Sequence, residues 1–327
     1  MDIIKKILAT VSLVAIVFCA DAAERRIYPC HRLAQAPVID GKLDEEAWKN
    51  MPEATGFYIF SGGGEEKYAI EKQTSFKAGW KDDALYIAVR SEENAPEKMV
   101  AKLKDGGDLW SEDSIELFFF PKDALDYSQL VVNSLSSRLN VRGTAMDWEA
   151  KVVVGKAEWV LELRVPFSVL MGKTPKEGDE WPVNIARNIR AGTADETADE
   201  YYTSWPFLVS GFNDLSNFGR FVFKGEAVDR PMAEENGINR AYIQYMRGEI
   251  KKLAGLADKY EKDLAEARKS KDLYGEAEEL SQIWKKVVML SAQSNPDIRD
   301  MRVCCANLKR RSDECIARHI QKVLFQD

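Results

Sequence analysis

Residues 106–121 read GGDLWSEDSIELFFFP. A glycine turn leads into Trp110, two acids follow, and the run from Ser114 reads as a buried strand. Trp110 and Glu116 lie an even number of residues apart, so an unbroken strand places both on one face.

The sequence on either side extends the sheet. KQTSFKAGWKDDALYIAVRSEE (72–93) gives two runs joined at Asp82 and Asp83. Leu85, Ile87 and Val89 alternate with Tyr86, Ala88 and Arg90, the period of a half-buried strand. AKVVVGKAEWVLELRVPF (150–167) repeats the arrangement around Gly155, and further runs lie at 128–133, 138–142, 181–189 and 218–224. Many short strands separated by Gly, Asn and Asp predict an antiparallel β-sandwich of immunoglobulin or jelly-roll type over 23–226. SGGGEE (61–66) lacks the Gly-Lys-Ser/Thr ending of a phosphate loop and reads as a flexible connection.

The pattern then changes. GEAVDRPMAEENG has linker composition, and 227–236 reads as a linker. In 237–327 the spacing becomes three and four: Ile238, Tyr242, Met246, Ile250, Leu253, then Leu273, Ala277, Leu280, Trp284, Val287. Asn295 and Pro296 mark a helix start, with Met301, Cys305, Leu308 and Cys315 on one stripe. This predicts an all-α bundle or hairpin, whose stripes serve as core or as a surface for self-association or a protein partner.

At the other end, Lys5 and Lys6 precede an apolar run over 7–20, and Ala20 and Ala22 supply small residues at a cleavage site. Residues 1–22 therefore read as a signal peptide, short in its apolar part for a membrane span, which directs the chain to a secreted or periplasmic location; an uncleaved N-terminal anchor is the alternative. No membrane span is expected in the mature chain. Cys30, Cys304, Cys305 and Cys315 remain after cleavage, too few for a disulfide scaffold. Either Cys30 ties to the C-terminal helices or all stay free thiols. The net charge is −7; the 18 basic and 16 acidic residues from Pro231 onward give +2, which leaves −9 on the preceding part. An acidic chain without a basic stripe argues against nucleic acid as a partner. The acidic face is either plain solubility or a calcium site.

Six segments in order resemble carbohydrate-binding module family 9: PVIDGKLDEEAWKNMPEA (37–54), DDALYIAVRSEE (82–93), the opening stretch with Trp110, Asp113 and Glu116 as W-x-x-D-x-x-E, EWVLELRVPFSVL (158–170), GDEWPVNIARNIR (178–190) and SWPFLVSGFNDLSNFGRFVF (204–223). The resemblance does not reach the helical tail. It implies a sandwich plugged by Trp48 that holds a glycan end between two aromatic rings and works beside polysaccharide-degrading enzymes. Trp110 would be one plate, and Phe212 stands where the family has its second tryptophan. Glu116 would accept sugar hydroxyls, and Arg187 is either a ligand contact or scaffold. The family's arginine in the strand 128–133 is here Val131, and polar residues before the second plate are Val209 and Ser210.

Alternatives follow from the same residues. Trp110 could be edge core, Glu116 could bridge to Arg187 or Arg190, and Phe212 could pack a loop. Such a degenerate sandwich would be structural, a holder for the helices. A third reading, haem-mediated electron transfer, would use Met99, Met146 or Met171 as an axial ligand. No nucleophile elbow, zinc motif or histidine pair is present, since only His31 and His319 occur. The leading expectation is a non-catalytic glycan-binding protein.

Overall fold

A computed structural model describes residues 25–60, 67–69, 72–190, 201–226, 232–255, 265, 268, 269, 271, 273–293 and 298–325. Residues 1–22, read as a signal peptide, and the SGGGEE connection lie outside them.

The strands are β1 (Ile27–Arg32), β2 (Tyr58–Phe60), β3 (Thr74–Lys81), β4 (Ala84–Glu92), β5 (Ser114–Phe119), β6 (Ser128–Asn133), β7 (Arg138–Asn140), β8 (Glu149–Val154), β9 (Glu158–Pro166), β10 (Glu180–Ile189), β11 (Tyr201–Ser204) and β12 (Gly219–Glu226). They join in one path, β7-β6-β5-β10-β12-β1-β3-β4-β9-β8, with β11 pairing β10 and β2. The path folds into two facing layers. Ile115, Leu117, Leu130, Val132, Val183 and Ile185 on one side share a core with Phe76, Leu85, Ile87, Val89, Leu161 and Leu163 on the other.

The expectation of a purely antiparallel sandwich is corrected at β1, which runs parallel to both β12 and β3. The entering chain slots between the last strand and the first hairpin and buries Tyr28 and Cys30 in the core. Strand β4 also departs from the half-buried reading, because Tyr86 and Ala88 on its other face are covered as well. Their cover is the N-terminal segment around helix α1 (Glu46–Lys49), where Trp48 and Met51 pack on Leu33, Ala84, Tyr86 and Ala88. Trp48 therefore closes an outer face rather than plugging the interior.

The described helices of the C-terminal region are α2 (Met232–Ile238), α3 (Arg240–Gly255), α4 (Tyr274–Ser291) and α5 (Ile298–Phe325). Helix α2 lies in the stretch read as linker, and it is fastened to the sandwich. The His31 ring contacts Glu234 Oε2 at 2.9 Å, the Glu53 amide donates to Glu235 at 3.1 Å, and Asn239 bonds the Thr55 amide and the Glu53 carbonyl at 2.9 and 2.8 Å. Cys304, Leu308, Ser312 and Cys315 form the buried stripe of α5. Cys30, Cys304 and Cys315 are buried free thiols, so the tie from Cys30 to either of these helical cysteines is not made; the Cys305 side chain lies outside the described ones. Among the described residues, no helix is long and apolar enough to cross a membrane.

Candidate functional site

The opening stretch divides its labour residue by residue. Residues Leu109–Ser111 form a 3-10 turn that buries Leu109 and leaves Trp110 38% exposed. Glu112 accepts from the Lys102 and Leu103 amides at 2.8 and 3.0 Å and from the Asn133 side chain at 2.8 Å. Buried Asp113 accepts from the Val100 amide at 2.7 Å and from the Arg190 amide at 3.0 Å. These two acids bind the preceding loop and the end of β10 to the start of β5. Trp110 is thus presented by a turn, not by an extension of the strand.

Glu116 lies on β5, 5% exposed. Its oxygens accept from Gln129 Nε2 at 2.7 Å and Asn188 Nδ2 at 2.8 Å. Both donors are neutral amides. Burial holds the Glu116 carboxyl above its ordinary pKa, and the two amide bonds oppose that shift. A carboxylate has about four acceptor positions, so two amide bonds leave room for hydroxyl donors.

Trp110, Glu116 and Phe212 line one cleft of about 370 Å3, together with Phe60, Phe118, Tyr127, Gln129, Asn188, Arg190, Tyr202 and Asn213. Phe212 stands among aromatics, its ring centroid 5.8 Å from Phe60, 6.0 Å from Tyr202 and 6.5 Å from Phe118. Asn184 donates to the Phe212 carbonyl at 2.9 Å, and Asp214 accepts from the Val209 amide at 3.0 Å, which ties the loop to β10 and to itself. The Arg190 guanidinium lies 5.2 Å from the Tyr202 ring centre and donates to the Tyr202 hydroxyl at 3.0 Å.

Arg187 is elsewhere. It is fully buried, pairs with Glu93 at 3.2 Å, donates to the Lys72 and Glu92 carbonyls at 3.0 and 2.8 Å, and lies 5.8 Å from the Trp159 ring centre. The reason is parity. Ala186 pairs with Glu116 and Arg187 with Ile115, so Arg187 shares the core-facing side. Asn184, Asn188 and Arg190 fall on the Glu116 side. The same alternation in SQLVVN puts Gln129 and Val131 on that side, and Gln129 supplies a polar contact where Val131 cannot. A period-two count outward from Glu116, once the registers of β5 with β10 and with β6 are known, finds Asn184, Asn188 and Gln129. Glu116 does not bridge to Arg187; its partners are the two amides.

Among the described residues, no group of three or more His, Cys, Asp or Glu side chains could hold a metal ion. The methionines considered for haem sit in unrelated settings. Met99 packs on the main core, Met146 offers its carbonyl to Arg138, and Met171 is exposed in a left-handed turn. His31 has both ring nitrogens engaged, by Gly225 O and Glu234.

The fold is a sandwich of sheets with an aromatic cleft on one outer face, lined by one carboxylate among the described residues. The chain matches the carbohydrate family 9 binding domain-like family over residues 39–226, and it belongs to that family. No curated protein matches it. Similar solved structures include a carbohydrate-binding module family 9 of Caldicellulosiruptor kristjanssonii in complex with cellotriose, at 18% identity over 62% of this chain and 96% of that one, TM-score 0.47. The same module in complex with glucose has 18% identity over 62% and 98%, TM-score 0.48. A protein of Bacteroides uniformis has 13% identity over 62% and 100%, TM-score 0.48.

Proposed function

We propose that this is a secreted or periplasmic, non-catalytic carbohydrate-binding protein that delivers or retains partner enzymes at polysaccharide. The observation that carries the reading is the Glu116 carboxylate at the floor of an aromatic cleft, held by neutral amides, in a chain of the family 9 binding domain-like class. A pyranose has an apolar C–H face that stacks on a ring and a rim of hydroxyls that need acceptors and donors. Trp110 and Phe212 supply rings, Glu116 accepts hydroxyl protons through charge-assisted bonds, and Gln129 and Arg190 supply donors, the Asn188 amide protons being given to Ser114 and Glu116. Glu116 is the one carboxylate among the described lining residues. Hydrolysis is assigned to partner proteins in this reading, because the family to which the chain belongs is described as a binding domain.

Calorimetric titration with glucose and cellotriose, with and without calcium, tests the reading. Saturable binding at millimolar sugar or tighter, lost in Trp110→Ala and weakened in Glu116→Gln, is the expected result. Absence of any heat or chemical-shift change at that concentration would remove it in favour of a purely structural role.

A further inference from the structure

The cleft and the C-terminal helices meet at opposite ends of one short ribbon. Strand β2 pairs with β11 through Tyr58↔Ser204, Ile59↔Thr203 and Phe60↔Tyr202. Phe60 and Tyr202 line the cleft and flank Phe212. Tyr58, two residues from Phe60, lies instead in a cluster with Tyr68, Tyr242, Met246, Val287, Leu290, Cys304 and Leu308, most of it helical. Tyr58 and Tyr68 stack at 4.2 Å and share a 2.7 Å hydroxyl contact, and the Tyr68 ring meets Tyr242 at 5.0 Å and Tyr245 at 4.7 Å. Phe207, on the segment that leads to Phe212, meets Tyr58 edge-on at 5.5 Å and packs on the same cluster. The seat of Tyr242 is cut for it: Gly56 has φ +76°, and a Cβ there would lie 2.5 Å from the Tyr242 ring.

A three-residue strand paired with a four-residue one is marginal by its own hydrogen bonds. Strand β11 is also hydrogen-bonded to β10, so the three-residue β2 is the member whose order depends most on what its side chains bury. We propose that the C-terminal helices are a working part of the ligand site, with Tyr242 as the positioning residue that clamps the β2–β11 ribbon and thereby holds the Phe60–Tyr202–Phe212 wall of the cleft. This rests on the sugar-binding reading for its affinity consequence, while the clamp itself is independent of any ligand.

The test uses the whole chain and two measurements. Hydrogen exchange reports the amides of 58–60 and 201–204; titration with glucose and cellotriose reports the cleft. Tyr242→Ala is expected to speed exchange in those strands by about tenfold and to weaken sugar binding by about fivefold or more, with exchange in β4 and β9 unchanged. Tyr242→Phe, which keeps the ring, should restore both. Leu280→Ala opens a cavity in the helical cluster of Leu273, Ala277 and Cys315, which borders the Tyr242 cluster at Ile283 without containing Tyr242 or Tyr58, so it should lower the melting temperature of the helices and leave both readings at the parent value. If Tyr242→Ala does not fold, Tyr245→Ala is the milder substitution and should shift both readings in the same direction. Parent-like exchange in 58–60 and 201–204 overturns the clamp. Fast exchange with unchanged affinity overturns the role in the site. A parent that binds no sugar removes the proposed function instead, and the exchange result then decides the clamp alone.

Discussion

Two glutamates on opposite layers of the sandwich were built from the same parts and finished differently. Glu162 on β9 is fully buried and accepts from the Asp40 amide at 3.0 Å, the Gly41 amide at 2.6 Å and the Trp48 indole at 2.6 Å. Glu116 on β5 accepts from two side-chain amides, and its neighbouring tryptophan, Trp110, stays 38% exposed. On the first face the chain supplies its own ring and donors and shuts the site. On the second it leaves a ring, a carboxylate and an open cleft. The difference lies in the remaining acceptor positions: backbone amides and an indole fill them at Glu162, and at Glu116 the proposed function leaves them to a ligand.

The largest expected contrast is between the two tryptophans. Trp48→Ala removes a fully covered indole and leaves Glu162 short of a donor, and should cost about 3–5 kcal/mol of unfolding free energy. Trp110→Ala should cost about 1 kcal/mol or less while sugar binding is lost. Urea unfolding of both variants beside a titration separates them. Equal destabilisation would break the contrast and return Trp110 to the core.

The glutamates should differ next. Glu162→Gln keeps the shape but cannot serve three donors as well, and should lower stability by about 1–3 kcal/mol. Glu116→Gln should leave the melting temperature near the parent and weaken sugar binding by about 1–3 kcal/mol. A Glu116→Gln protein that melts far below the parent would make Glu116 a structural residue like its counterpart.

A pH series sharpens the comparison on a smaller scale. Burial holds both carboxyls above their ordinary value, more than their hydrogen bonds lower them. The folded state then favours the protonated form. The stabilising contribution is fully present below the unfolded value of about 4.3 and is lost as pH rises through the raised folded value. Unfolding free energy measured from pH 4 upward should therefore decline less in Glu116→Gln than in the parent. Sugar affinity should run the other way and strengthen as Glu116 ionises, because the charged acceptor binds hydroxyls more strongly. Affinity that is flat across this window in the parent would exclude Glu116 as the acceptor.

The smallest effect concerns the second ring. Phe212→Trp enlarges the stacking surface beside Phe60 and Tyr202 and should tighten binding by about 0.5–1 kcal/mol. Weaker binding would mean that the loop packs the ring away from the ligand.

Much of this was legible in the amino-acid order because it is local. Period-two alternation over 84–90 and 158–165 marks strands, and three–four spacing over 238–253 and 273–287 marks helices, since side-chain direction repeats with backbone geometry. A glycine turn followed by a tryptophan and paired acids announced Trp110 and Glu116, and both line the cleft. The tertiary structure alone decided which face of β10 lines the cleft, since the β5–β10 register joins residues about seventy positions apart and a one-residue slip exchanges Arg187 for Asn188. It decided what covers Trp48, because the strand residues Ala84, Tyr86 and Ala88 and the Glu162 acceptor lie far along the chain from it. It decided that 232–238 is a helix fastened to the sandwich, through His31, Glu53 and Thr55 some two hundred residues earlier. Local periodicity states how a segment turns its side chains; what those side chains meet is set by long-range pairing, which no short window of sequence contains.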